Sequence, residues 1–192
     1  RSPADGYTIG LISSATHGVN PAILGKDVQY DPLADFTFVT GVAKWANVLI
    51  VNASSPLKSV DDLVKFAKDN PNAVNFGSAG VGSSNHLSGE MLANASKATM
   101  VHVPYKGSAA PMADVIGGRL TFMFDILVTS KPMIESGRVR PLAYTGLKRS
   151  TYAPDIPTMA EVGYPGVTGE FWFGVAAPAG IPERIADKLN AE

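Results

Sequence analysis

A run of small residues between a predicted strand and a predicted helix constrains the fold more than any other feature. It reads Asn75-Phe76-Gly77-Ser78-Ala79-Gly80-Val81-Gly82-Ser83-Ser84-Asn85-His86-Leu87, and the helix continues to Asn94. The three glycines permit positive φ angles and close approach of a ligand to the main chain. The serines and Asn85 are residue types that cap helix N-termini, where N–H groups lack partners within the helix. The segment therefore predicts either an anion site or an ordinary strand-to-helix turn.

A second segment repeats this arrangement. Val101–Tyr105 is predicted as a strand, Lys106-Gly107-Ser108 as a turn, and Ala109–Ile116 as a helix that Ser108 caps and Gly117-Gly118 ends. Two serine-capped helix starts behind short β segments can converge on one ligand, so the pair favours the anion site.

Composition excludes several classes of function. The chain has 192 residues, a net charge of −1 and no cysteine. This charge does not favour nucleic acid or an anionic membrane as a partner, and a disulfide framework is impossible. No apolar run approaches the roughly 20 residues of a membrane span. The three histidines show no metal spacing, and we expect neither a metal nor another cofactor.

Predicted strands and helices alternate along the chain, as in an α/β protein. The predicted strands are Tyr7–Ile12, Phe36–Val42, Val48–Asn52, Val101–Tyr105, Leu120–Phe124, Val139–Thr145 and Phe171–Ala176. The predicted helices are Asn20–Leu24, Val60–Asp69, Leu87–Asn94, Ala109–Ile116, Lys131–Ser136, Thr158–Val162 and a last one from Pro182. Val48–Asn52 is an apolar run suited to a strand covered on both faces.

Several motifs, in order and over nearly the whole chain, resemble one family. They are Pro3-Ala4-Asp5-Gly6-Tyr7-Thr8, Tyr30-Asp31-Pro32-Leu33-Ala34-Asp35-Phe36, the 78–87 loop, Val103-Pro104-Tyr105-Lys106-Gly107-Ser108, Gly117-Gly118 with Phe124-Asp125, Ile156–Gly163 and Phe173–Pro182. The chain is similar to the periplasmic solute-binding proteins of tripartite tricarboxylate transporters, also called Bug receptors.

The resemblance implies an α/β, two-lobed periplasmic-binding-protein fold of type II, the Venus flytrap, truncated here at both ends. It places an incomplete first lobe at residues 1–50 and 173–192 and the second lobe at 51–172. Members of the family carry a leader, a first strand and a glycine-rich loop ahead of the segment seen here, and they extend beyond its last helix. We therefore expect this chain to be a fragment.

The resemblance also implies a function. It points to a monomeric periplasmic receptor that captures a small carboxylate in an interlobe cleft and delivers it to integral-membrane transporter subunits. In this family hydroxyls, backbone N–H groups and waters hold the carboxylate. The residue types in this chain agree with this mode of binding. Each hydrogen bond to a charged group returns roughly 1.5–3 kcal/mol, so three or four of them can replace the lost hydration of a carboxylate.

The predicted ligand-binding residues lie on both lobes. Those on the second lobe are Ser78, Ala79, Gly80, Gly82, Ser83, His86, Tyr105, Gly107, Ser108 and Asp125, and those on the first are Ser13, Ser14 and Thr16. For three of these residues, a different role is also open. His86 could instead bond a neighbouring carbonyl, Tyr105 could pack beneath the cleft, and Asp125 could bind an ammonium group or serve structurally. His102, between two valines, is interpreted as structural.

The alternative function is a serine hydrolase of the α/β class that uses Ser83 and His86, with Asp125 as the orienting acid. The hydrolase elbow needs Gly-x-Ser-x-Gly, whereas Gly77-Ser78-Ala79-Gly80 has no residue between its first glycine and the serine. Ser83 and His86 are also only three residues apart at one helix start. These points favour a binding protein over an enzyme.

Overall fold

The chain forms two units, as described by a computed structural model for residues 2–191. The first unit contains residues up to Lys44 and residues from Phe171 onward, and the second contains 45–170. The sequence-based lobe boundaries at 50/51 and 172/173 remain a prediction about the whole protein. Arg1 and Glu192, at the outer ends of the predicted first lobe, lie outside the described residues.

Eight strands and six α-helices are present within residues 2–191. The strands are β1 (Gly10–Ser13), β2 (Phe36–Trp45), β3 (Asn47–Asn52), β4 (Asn75–Ser78), β5 (Val101–Pro104), β6 (Phe122–Ile126), β7 (Val139–Tyr144) and β8 (Phe171–Pro178). The α-helices are α1 (Asn20–Leu24), α2 (Val60–Asp69), α3 (Ser84–Ser96), α4 (Ala109–Ile116), α5 (Leu127–Glu135) and α6 (Glu183–Ala191).

The first unit is built on a three-stranded sheet in the order β1-β8-β2. β1 and β8 are antiparallel, with Gly10 opposite Ala176 and Ser13 opposite Phe173. A π-helical turn (Ala15–Val19), α1 and a 3₁₀ turn (Gly25–Asp27) follow β1 without interruption. The amide of Asn190 on α6 donates to Val39 of β2, so the last helix is tied to the sheet of this unit.

The second unit is built on a five-stranded sheet in the order β5-β4-β6-β3-β7. β4 runs parallel to both β5 and β6, whereas β3 runs antiparallel to both β6 and β7. The carboxyl ends of β4, β5 and β6 therefore meet at one edge of the sheet. The amino end of β3 lies at this edge too, since Asn47 pairs with Ile126.

Apolar residues cover both faces of this sheet. Successive residues of β3 alternate between two buried clusters, Leu49 and Val51 facing one and Val48 and Ile50 the other. The first cluster includes residues of α2 and α3, and the second includes residues of α4 and α5. The prediction that 48–52 is a strand covered on both faces is confirmed.

Several predicted elements differ in extent or type. Thr158–Val162 forms no helix: Thr158 pairs with Tyr144 in an isolated β-bridge, and turns follow it. Thr158 and Glu161 bond each other's main-chain N–H groups as in a capping box, but no helix continues behind it. The helix predicted at 131–136 begins at Leu127 instead. The strand predicted from Tyr7 begins at Gly10, and the Tyr7 N–H donates to the Asp5 carboxylate in a turn.

Residues 2–191 contain neither a membrane-spanning helix nor a metal-binding cluster. No helix in this range is both long enough and apolar enough to cross a bilayer. No three side chains of the His, Cys, Asp or Glu types are grouped there so that they could hold a metal ion.

Candidate functional site

The carboxyl edge of the parallel strands in the second unit brings most of the predicted site residues together. β4 ends at Ser78, β5 at Pro104 and β6 at Ile126, and α3, α4 and α5 begin shortly after these strand ends. The partial positive charge at the N-terminus of each helix therefore lies along this edge. Ligands of open α/β sheets bind outside the carboxyl ends of the strands. We call residues 78–83 the glycine loop.

The glycine loop is held by its own hydrogen bonds. The Gly80 N–H donates to Ser78 Oγ at 3.1 Å, and the Gly82 N–H donates to His86 Nδ1 at 3.1 Å. Gly80 and Gly82 have φ angles of 132° and 81°, which a residue with a side chain rarely adopts. Ser83 Oγ donates to Gly80 O at 2.7 Å and accepts the His86 N–H at 3.3 Å. Ser83 is therefore the cap of α3, and it is one of the three residues that the sequence offered for this role.

Further main-chain donors lie two or three residues beyond the glycines. Gly80, Gly82 and Gly107 already donate their N–H groups within the chain, Gly107 to Ala79 O at 3.1 Å. In contrast, the N–H groups of Ser84, Asn85, Ala109 and Ala110 have no acceptor among residues 2–191. These donors belong to the first turns of α3 and α4. The edge can accept an anion through helix starts rather than through the glycines themselves.

Asp125 lies in a buried polar network at the same edge. Its side chain is 2% exposed; Oδ2 accepts from Thr129 Oγ1 at 2.8 Å and Ser130 Oγ at 2.9 Å. Asn85 Nδ2 lies 3.3 Å from Oδ1 and also donates to Phe124 O at 2.7 Å. Burial raises the pKa of the Asp125 carboxyl, and these hydrogen bonds oppose the rise. A ligand role for Asp125 remains a prediction, and its three partners suit the structural alternative.

Tyr105 and Ser108 flank the start of α4. The Tyr105 hydroxyl donates to Asp114 Oδ2 at 2.6 Å, and Asp114 also pairs with Arg119. This hydrogen bond raises the pKa of the Tyr105 hydroxyl. Ser108 holds the cap position of α4, but its side chain makes no capping bond, so its hydroxyl is left for another partner.

The predicted residues of the first unit form a separate small cluster. The Ser13 N–H donates to Thr16 Oγ1 at 3.0 Å, and the Thr16 N–H donates to Ser13 Oγ at 3.2 Å. Thr16 Oγ1 also lies 2.9 Å from His17 Nδ1, and Ser14 precedes the π-helical turn. A cavity of about 620 Å³ lies beside Thr16 and His17, between β1 and residues 176–179. The ligand roles of Ser13, Ser14 and Thr16 remain predictions.

Several polar residues at the edge of the second unit were not predicted. His102 Nε2 lies 2.6 Å from Ser78 Oγ, because β5 pairs with β4 in a register that sets Phe76 opposite His102. Asn47 is fully buried, and its Nδ2 donates to Ser88 Oγ at 3.1 Å. Only the position of Asn47 at the start of an otherwise apolar strand could have signalled it. His102 required knowledge of the strand register.

The structure does not place Ser83 and His86 as the serine hydrolase alternative requires. The Ser83 hydroxyl donates to a carbonyl, and His86 Nδ1 accepts the Gly82 N–H. His86 Nε2 lies 3.6 Å from Glu90 Oε1. Neither ring nitrogen of His86 is therefore placed to remove a proton from Ser83.

Comparison with known proteins decides the family. The sequence model of the tripartite tricarboxylate transporter family receptor matches residues 1–192. The chain belongs to this family. A relative from Pseudomonas sp. (strain P51), the UPF0065 protein in the tcbD-tcbE intergenic region, is 38% identical over 193 residues, which are 100% of this chain and 57% of that protein. The chain thus spans just over half the length of this relative.

Solved structures of receptor-family proteins have the same fold. A structure described as R. palustris Rpa4515 with adipate has a TM-score of 0.89 and 39% identity, over 100% of this chain and 64% of that one. The periplasmic binding protein BugD has a TM-score of 0.85 and 34% identity, over 98% of this chain and 62% of that one. The predicted family and periplasmic-binding-protein fold are confirmed. The family is one of receptors and not of enzymes, as predicted.

Proposed function

We propose that the full protein is a periplasmic receptor that binds a small dicarboxylate and delivers it to the membrane subunits of a tripartite tricarboxylate transporter. The observation that carries the proposal is the edge at the carboxyl ends of β4, β5 and β6. There the N–H groups of Ser84, Asn85, Ala109 and Ala110 have no acceptor within the described part of the chain. A receptor family supports capture without chemistry. Family membership also supports periplasmic location and transporter partners.

One carboxylate group suits this edge for electrostatic reasons. Two helix starts supply main-chain donors and partial positive charge without a buried arginine, and the Ser108 hydroxyl is free to donate. Three or four such hydrogen bonds, at roughly 1.5–3 kcal/mol each, can offset dehydration of a carboxylate. The solved relative with adipate makes adipate a suitable first ligand to test.

Titration calorimetry on the full-length protein tests the proposal. Adipate should bind, whereas its neutral diamide, which has the same length but no charge, should not. Adipate at a thousandfold excess over Kd should stabilise the fold by about 4 kcal/mol in a thermal melt. Recovered adipate should be chemically unchanged. Equal binding of the diamide, or conversion of adipate to another compound, would contradict the proposal.

A pair of variants tests whether the ligand binds on the second unit. Gly82→Val introduces a side chain at a φ of 81° in the glycine loop and should reduce affinity at least tenfold. Gly163→Val is the matched control, since Gly163 has a φ of 93° but lies in a turn after Thr158–Val162, on no strand end of this edge. Equal losses in both variants would show a general effect on folding.

A further inference from the structure

Two histidines lie against each other behind the glycine loop. The ring of His86, from the first turn of α3, and the ring of His102, from β5, have centroids 4.0 Å apart at an angle of 33°. Phe76 stacks on His102 with centroids 5.1 Å apart. The pair is therefore packed between a buried aromatic ring and the loop.

Each histidine ring holds a different point of the loop. His102 Nε2 lies 2.6 Å from Ser78 Oγ, the oxygen that accepts the Gly80 N–H. His86 Nδ1 accepts the Gly82 N–H. A nitrogen that accepts a hydrogen bond carries no proton, so His86 can hold Gly82 only while Nδ1 is unprotonated.

One acidic side chain faces the histidine pair. Glu90 is the only acidic side chain within ion-pair distance of either ring among residues 2–191, and it is 52% exposed at 3.6 Å from His86 Nε2. Burial, with a smaller contribution from the adjacent His86, lowers the pKa of His102 to about 4. Two imidazolium rings at this separation would repel each other across a partly buried contact.

We propose that His86 and His102 are positioning residues that hold the glycine loop in its binding conformation, and that protonation of His86 releases the loop, so that acidification weakens ligand binding. The loop-holding role stands on the geometry alone. Its consequence for ligand rests on the proposed function.

The sign of the pH effect separates this role from direct contact. An imidazolium of His86 that touched a carboxylate would tighten binding on acidification. In the structure Nδ1 of His86 accepts from Gly82 and Nε2 faces Glu90. The positioning role requires the opposite sign, since protonation breaks the bond to Gly82 and binding then requires release of the proton.

Hydrogen exchange of the Gly82 amide tests the loop without any ligand. In the full chain at pH 7, His86→Ala should lower the protection of this amide at least tenfold. His86→Asn keeps an acceptor near the position of Nδ1 and should restore most of it. Unchanged protection in His86→Ala would overturn the positioning role, as would equal loss in the alanine and asparagine variants.

Adipate affinity at pH 7.5 and pH 5.0 then tests the consequence. The ratio of Kd at pH 5.0 to Kd at pH 7.5 should be at least threefold smaller in His86→Asn/His102→Gln than in the unsubstituted protein, because that variant cannot titrate at the pair. Protonation of adipate itself affects both proteins equally. His17→Gln, which removes the third histidine, should retain the ratio of the unsubstituted protein.

The outcomes are separable. An equal ratio in the double variant, or tighter binding at pH 5.0, would overturn the proposed pH dependence. If adipate and other dicarboxylates fail to bind at pH 7.5, the proposed function fails, and the Gly82 exchange measurement still decides whether the histidines hold the loop.

Discussion

Asn85 joins the start of α3 to the end of β6 through a buried side chain. Its amide donates to Phe124 O at 2.7 Å and lies 3.3 Å from Asp125 Oδ1. Asn85→Ala leaves both acceptors without this donor in a buried site, so we expect unfolding to become easier by about 1–3 kcal/mol.

Urea denaturation measures this loss. Asn94→Ala is the matched control, because Asn94 lies on the same helix with an exposed side chain. It should change stability by less than about 0.5 kcal/mol. Equal effects of the two substitutions would show that the Asn85 contact does not matter for stability.

The Asp125 carboxyl should show a defined pH dependence. Its folded-state pKa is raised, chiefly by burial, above the ordinary value of 3.8. The folded state therefore binds this proton more tightly than the unfolded chain, and the contribution of the group to stability falls as pH rises from 3.8 through the folded pKa. Asp125→Asn cannot titrate, so its stability relative to the unsubstituted protein should increase across that window and then level off.

Chemical denaturation from pH 3.5 to pH 7 checks this prediction. The difference between the two proteins cancels titrations that they share. A relative stability of Asp125→Asn that decreases with rising pH would mean that the carboxylate, rather than the acid, is the form that the fold prefers.

Sequence analysis located the site loop but not its donors. The glycines and serines of residues 78–83 predicted a turn open to a ligand, and they do form the loop before a capped α3. The N–H groups of Gly80 and Gly82 are nevertheless used by Ser78 and His86. Such bonds depend on side-chain rotamers and on the distance between β4 and α3, which residue types alone do not encode.

At the scale of elements, apolar patterning predicted best the strands and helices that have buried faces, such as β3 and α2. The predicted start of α5, at Lys131 instead of Leu127, was wrong for a local reason. Thr129 and Ser130 bond the Asp125 carboxylate and extend the helix back to Leu127. Pro132 lies inside the helix as it is formed.

The contact between α3 and β4 depends on a glycine. A Cβ at Gly89 would overlap the ring of Phe76, which is fully buried. Although alanine favours helix, we expect Gly89→Ala to destabilise the protein by about 1–3 kcal/mol, because the ring cannot move without a shift of the core. The same shift should move the first turn of α3 and weaken adipate binding.

Gly18→Ala is the control for this substitution. A Cβ at Gly18 meets nothing within 4 Å in its helical turn. Thermal unfolding should show a lowered Tm for Gly89→Ala only. A Tm of Gly89→Ala equal to that of the unsubstituted protein would mean that α3 can slide on the sheet at little cost.

At the scale of the whole molecule, the order of motifs predicted the family and the α/β fold of its members, and both are confirmed. Motif order succeeds because it samples strand ends and helix starts throughout the chain. The ligand is harder to infer. Its size and second functional group depend on the complete protein, and this chain spans 57% of its Pseudomonas relative.

In the proposed receptor, main-chain N–H groups at the helix starts of the second unit hold a carboxylate. Amide NMR of the full-length protein titrated with adipate tests it most directly. The amide protons of Ser84, Asn85, Ala109 and Ala110 should move downfield together, with one Kd that agrees with calorimetry. Binding by calorimetry without shifts at these four amides would contradict the claim.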